Sequence, residues 1–259
     1  MEVKGVGLEV GYDGNIIIPE LDITVCKGEI TTIVGPNGSG KSTVLKALTR
    51  LLGYTKGQVL VNGKEIHFIE SSELAKQIGI LPQHHNAPPD FKVRDLVAFG
   101  RAPYQKWYEK QAADDEQIIE WAMRSAEVWE FRDRPVHACS GGETQRVWIA
   151  MVLAQQPDIL FLDEPTTYLD ISYQQEIMRL IRQLNRNHGI GVVMVLHDLV
   201  QAMEVSDKVI VLKDGKKYAE GTPEEVITTR MLKEVYRVNS RIIRLPDRKR
   251  PLLVLEEIL

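Results

Sequence analysis

The chain has 259 residues, 44% of them apolar and 26% charged, with 32 Lys and Arg against 36 Asp and Glu for a net charge of −4. That composition can bury a sizeable core and excludes a disordered chain, and the near balance of charge argues against bulk nucleic-acid binding. The longest uncharged apolar run, residues 147–154, is far short of the roughly 18 residues of a membrane span, and the start MEVKGVGLEV has no basic patch followed by an apolar stretch, so the expectation is a chain that neither crosses a membrane nor is exported.

Residues 30–34 have the length and continuous apolarity of a strand buried on both faces, and after a glycine-rich turn comes the helical run 44–52. Short β-rich runs alternate with helical stretches up to about residue 83 and again over 158–211, which defines an α/β core. Between about 86 and 137 the β signal vanishes. Asp114 with Gln117 predicts a capped helix there, with Ile118, Ala122, Ala126 and Trp129 on one face, and the region reads as a helical insert. A helix opening near Gly142 would bury Val147, Ala150, Met151 and Ala154. Residues 159–162 and 192–196 are further buried strands. Between them Ser172 with Gln175 predicts a capping box for a helix whose Ile177, Met178, Ile181 and Leu184 face inward before Gly189 stops it. Beyond Lys208 the expectation is two short strands around Lys213-Asp214-Gly215, a helix near Pro223 and a last strand near 252–255, a tail that caps the core.

Two elements carry chemistry. Gly35, Pro36, Asn37, Gly38, Ser39, Gly40, Lys41, Ser42 and Thr43 match a phosphate loop between strand and helix, where backbone N–H groups and a helix N-terminus converge on anionic oxygens. Lys41 is expected on the β- and γ-phosphates of a bound nucleotide and the Ser42 hydroxyl on Mg²⁺. The apolar run 159–162 ends in Asp163 and Glu164. An isolated acidic pair at a strand end would read as solvated carboxylates; beside a phosphate loop, Asp163 becomes the Mg²⁺ partner and Glu164 the acceptor of a proton from the attacking water. Cys26 and Cys139 have no partners at metal-ligand spacing, so neither a disulfide framework nor a zinc site is expected and a reducing cytoplasm fits. His84 and His85, adjacent in a loop, would point apart and make no metal pair.

The segment Cys139-Ser140-Gly141-Gly142-Glu143 resembles the signature motif of ATP-binding-cassette ATPases. Further marks of that family stand in order: Tyr12, 29 residues before Lys41, Gln83 in Leu-Pro-Gln, Tyr168-Leu169-Asp170 after the carboxylates, and His197 after the strand 192–196. The resemblance covers nearly the whole chain and implies an α/β phosphate-loop NTPase core with an antiparallel β portion, residues 1–85 and 158–259, and a helical subdomain, residues 86–157, that carries the signature. It also implies a head-to-tail homodimer with two ATP molecules between each phosphate loop and the opposing signature. Tyr12 would stack on the nucleotide, Ser140, Gly141, Gly142 and Glu143 would belong to the partner's ATP site, and Asp170 would also be nucleotide-binding. His197 would bond the γ-phosphate, and Gln83 would sense Mg²⁺ and the attacking water. Cys139 and Glu143 stand where leucine and glutamine are usual. Thr167 stands where serine is usual, and no function is read into it.

One motif set without a membrane span resembles the separate ATPase subunit of a multi-subunit transporter, peripheral on the cytoplasmic side of the cell membrane, with an integral permease as partner and an external substrate-binding protein as an indirect one. The stretch 97–104 with Trp107, and the run 244–251, resemble importers of ferric chelates, haem and cobalamin; zinc and manganese importers come close. A soluble member such as an iron–sulfur assembly subunit is the rival. The long coiled-coil insert of DNA-repair members, the second cassette of ribosome-acting members and an Asn-Lys-x-Asp base-reading motif are all missing from the sequence. The permease is expected in a groove lined by residues 83–89 and the helix beginning near Val93, with Phe91, Val93 and Leu96 as the apolar contacts and Asp90 or Asp95 as the charged ones.

Overall fold

The computed structural model describes residues 1–83, 87–88, 90–104, 113–243 and 250–258. His84, His85, Pro89, Trp107 and residues 244–249 of the tail run lie outside the described residues. The chain forms two compact units, one of Met1–Ile66 with Val193–Leu259 and one of His67–Val192.

In the first unit, β1 (Glu2–Tyr12) is the spine of an antiparallel sheet. It pairs with β2 (Asn15–Ile18), β3 (Ile23–Cys26) and β5 (Lys56–Val61), and β6 (Lys64–Glu65) closes the edge. Asp13 and Gly14, both at positive φ, make the tight turn from β1 to β2. The strand β4 (Ile30–Val34) is buried along its whole length, and α1 (Lys41–Leu48) follows it and packs on β1.

The second unit contains α2 (Ser71–Gln77), β7 (Ile78–Leu81), α3 (Val93–Ala98), α4 (Ala113–Ser125), α5 (Gly141–Leu153), β8 (Ile159–Asp163) and α6 (Ile171–His188). The strands β7 and β8 pair in parallel from Ile78 opposite Ile159 to Leu81 opposite Leu162. Gly79 leaves room for Val152, so α5 lies directly on β7. On its other sides α5 meets α3, α4 and α6.

Three expectations are corrected here. Asp114 lies inside α4 rather than capping it, and the buried face is Asp115, Ile119, Ala122, Met123 and the following Ala126, with Ile118 and Trp129 only half-buried. Asp115 lies on that inner face and accepts from Arg101 there. Ser172 lies within the first turn of α6, whose N-cap is Asp170; the inward set Ile177, Met178, Ile181 and Leu184 and the stop at Gly189 (φ 65) are as expected. Along α5, Ile149, Val152 and Leu153 are buried with Val147 and Ala150, whereas Met151 is half-buried.

The strand β9 (Gly191–Val195) closes the second unit with its first two residues and reopens the first unit with its last three. There Leu196 N–H donates to Ile33 O of β4 at 3.2 Å. After α7 (Leu199–Val205), β10 (Lys208–Lys213) pairs in parallel with β4 and in a hairpin with β11 (Lys216–Gly221), turning at Asp214 and Gly215. The helix α8 (Pro223–Val226) and the antiparallel pair β12 (Val238–Ile243) and β13 (Leu252–Ile258) complete it.

Candidate functional site

The first unit presents the phosphate loop at the carboxyl end of β4, where α/β sheets hold their ligands. Gly38 (φ 78) and Gly40 (φ 94) take conformations that side chains resist, and a Cβ on Gly40 would enter Ile18. Gly35 is equally constrained, because a Cβ there would collide with Leu212 O and Ser39 Oγ. Gly40 is the N-cap of α1 and supplies no side-chain bond, and the positive end of the helix dipole lies at this loop. Lys41, 6% exposed, donates from Nζ to Gly35 O and Pro36 O, both at 2.9 Å. Ser39 Oγ is buried and has no hydrogen-bond partner among the described residues. Buried hydroxyls are nearly always paired, so this oxygen fits a ligand oxygen.

Thr43 is buried inside α1, and Ser42 precedes it in the first turn. His197 is exposed just past the end of β9, and the next residue, Asp198, caps α7 by accepting from Val200 N–H at 2.7 Å and Gln201 N–H at 3.2 Å. Tyr12 is 43% exposed at the end of β1, an aromatic face presented at a hairpin.

The second unit gathers the carboxylates. Asp163 ends the buried strand β8 at 4% exposure, and Glu164 follows at φ 54, so the chain turns sharply between the two acids. Glu164 Oε2 accepts from Gln83 Nε2 at 2.7 Å and from Thr167 Oγ1 at 3.0 Å. The bond from Gln83 joins residues 81 apart in sequence. The Thr167 bond was missed in the sequence, although its position three residues after Glu164, in a turn closed by Thr167 N–H to Glu164 O at 3.2 Å, was a usable signal. Among the described residues no three His, Cys, Asp or Glu side chains cluster as a metal cage.

The signature opens α5. Ser140 is its N-cap: Oγ accepts from Glu143 N–H at 3.2 Å, and Glu143 Oε2 accepts from Ser140 N–H at 2.8 Å. Arg134 lies 3.2 Å from the same carboxylate. The Ser140 amide and then Arg134 hold the Glu143 carboxyl below its ordinary value, so the box closes with a charged acceptor. Gly141 is exposed, while Gly142 is buried against the Tyr173 ring of α6, which leaves no room for a Cβ. Burial and the Glu143 charge push the Cys139 thiol up, which makes it a half-buried neutral group. Tyr168 (φ 65) is 90% exposed next to Asp170.

One expectation about the surface is overturned. Val93 (0%) and Leu96 (4%) are buried, because that face of α3 packs against α4 and α5. What remains outside is Phe99, 56% exposed and stacked on the half-buried Phe91 with ring centroids 5.2 Å apart, beside the exposed Asp90 and Asp95.

The model of the ABC transporter family matches residues 18–167, more than half of the chain, and the chain belongs to that family of ATP-binding cassettes. It is 42% identical over 97% of its length, and 94% of the relative's, to the iron(3+)-hydroxamate import ATP-binding protein FhuC of Bacillus subtilis. It is 40% identical, over 97% of its length and 93% of the relative's, to the ferric enterobactin transport ATP-binding protein FepC of Escherichia coli. Among solved structures it resembles the dimeric post-hydrolysis state of the ATP-binding cassette MJ0796 bound to ADP and Pi, at 29% identity and a TM-score of 0.72, covering 85% of this chain and 98% of that one.

Proposed function

We propose that this chain is the ATP-hydrolysing subunit of a multi-subunit importer of a ferric chelate, paired with a second copy across two ATP molecules and docked on a membrane permease. The cargo class rests on the two import ATP-binding relatives, matched over nearly their whole length. The chemistry rests on one observation, Glu164 fixed by two donors on one oxygen.

In this reading the amides of residues 38–42 and Ser39 Oγ bind the phosphates, Lys41 Nζ moves from its two loop carbonyls to phosphate oxygens, and Tyr12 stacks on the base. Ser42 and Asp163, with Gln83, would hold Mg²⁺, which neutralises charge developing on the transferred phosphoryl group. Glu164 accepts the proton of the attacking water while Gln83 and Thr167 keep its carboxylate from rotating away. His197 donates to the γ-phosphate. Ser140 Oγ accepts from Glu143 N–H within its own chain, so its hydroxyl proton can be donated to ATP held by the partner copy, where the first turn of α5 adds its partial positive charge. Asp170 and the exposed Tyr168 border the same contact. Residues 86–157 act as the helical subdomain, and Phe99 with Phe91, Asp90 and Asp95 forms the permease-facing surface in place of Val93 and Leu96. Among the described residues no helix is long and apolar enough to cross a membrane, so in this reading attachment to the cytoplasmic face runs through the permease.

Glu164→Gln tests this reading. It keeps Lys41 and Asp163, so ATP binding should persist and the pair should be trapped, while hydrolysis falls by at least about 100-fold, the lower range for a lost general base. Size-exclusion chromatography with ATP and a phosphate-release assay measure both; turnover near wild type would remove Glu164 from the chemistry.

A further inference from the structure

The helix α5 carries the signature at its N-terminus, and the last carbonyls of any helix lack partners within it. Val152 O and Leu153 O accept from the Gln155 and Gln156 amides, whereas the C-cap carbonyl of Ala154 and the next one, of Gln155, are taken by a cluster from the turn after α3. Arg101 Nη1 donates to Ala154 O at 2.8 Å and to Gln156 Oε1 at 3.2 Å, and Tyr104 Oη donates to Gln155 O at 2.8 Å. Gly100 has no room for a Cβ against Met151 O. Arg101 Nε donates to Asp115 Oδ1 of α4 at 2.7 Å, and these two side chains are 5% and 7% exposed. The guanidinium lies 3.8 Å from the Tyr104 ring centroid.

A buried ion pair is weak evidence of stability, since well-packed apolar side chains do as well or better. What the guanidinium adds is direction: a rigid fork of donors at the negative end of a helix dipole. Apolar packing of Val147, Val152 and Leu153 interlocks α5 with its neighbours without a directional bond along its axis. The bond to the C-cap carbonyl of Ala154, with the one to Gln155 O just beyond it, adds directional resistance to sliding and rotation. The same residues, 154–158, lead directly into β8 and its acids, so one cluster fixes the far end of the signature helix and the root of the carboxylate strand. A misplacement of about 1 Å in a positioned group can cost about 100-fold in rate.

We propose that Arg101, with Asp115 and Tyr104, forms a positioning cluster that sets α5 along its axis, so that Ser140 and Gly142 meet ATP held by the partner copy. The cluster touches no nucleotide. This inference rests on the ATP-sandwich reading given above.

The decisive variant is Arg101→Met with Asp115→Leu, which replaces the ion pair by apolar side chains of similar size and leaves no charge buried alone. It should unfold at the wild-type denaturant concentration and bind nucleotide as a monomer with wild-type affinity. In the Glu164→Gln background it should need about tenfold more ATP to pair, and with Glu164 intact kcat should fall about tenfold at unchanged monomer affinity, the scale of one or two lost charge-assisted bonds. Arg101→Lys, which keeps the charge without the fork, should recover part of both. Wild-type pairing and turnover in the double variant would overturn the proposal. If that variant unfolds early, Tyr104→Phe decides, with an expected loss of about two- to threefold for one neutral hydrogen bond and no loss as the overturning result. Glu164→Gln remaining monomeric with ATP while Arg101 is intact would instead sink the sandwich reading and the positioning role with it.

Discussion

Glu164 shows how little of a carboxylate's orientation belongs to the residue alone. Two donors on Oε2, one from 81 residues away and one from the adjacent turn, fix where it points. Thr167→Val keeps the shape and removes one of them. Because Gln83 still holds the same oxygen, kcat should drop only about three- to tenfold, with ATP affinity unchanged, in a steady-state phosphate-release assay. An equal rise in the nucleotide dissociation constant would mean that Thr167 shapes the binding loop and not the acid.

At the scale of the element, α5 begins with a charged capping box. Glu143 has its folded value lowered, so its contribution is present above about pH 4.5 and is lost as pH falls through the lower folded value. Glu143→Gln keeps a box-forming side chain but not the charge. It should therefore be a few tenths of a kcal/mol to about 1 kcal/mol less stable near neutrality, and the gap should close as the carboxyl protonates in acid. Denaturant titrations at several pH values read this; a gap that widens in acid would contradict it. The helix α3 behaves oppositely to its sequence reading. Leu96 is core, so Leu96→Ala should cost about 2–5 kcal/mol of stability, seen as a lower unfolding midpoint, whereas a surface residue would change it little.

For the whole molecule, the proposed permease-facing surface is the Phe91 and Phe99 stack. Phe99 is more than half exposed, so Phe99→Ser should leave the fold and ATP binding intact and weaken co-purification with the membrane subunit by about tenfold or more, the size of one aromatic anchor at an interface. Vesicles carrying the assembled importer should lose ferric-chelate uptake in proportion. Undiminished assembly and uptake would place the docking surface elsewhere.

The phosphate loop, the acidic pair after residues 159–162, the signature, the stop at Gly189 and the hairpin at Asp214 and Gly215 were all legible, because each is a contiguous run whose local geometry is set by its own glycines, caps or apolar continuity. The sequence by itself determined the family and where its glycine-rich loop and acidic pair lie. The tertiary structure alone decided which face of α3 and α4 is inside, that Arg101 closes on Asp115 and the end of α5, and that Gln83 and Thr167 share one oxygen of Glu164. Burial and buried hydrogen bonds depend on which distant segment arrives opposite a residue, and a helical period fixes only relative angles within one helix, not which angle meets the core.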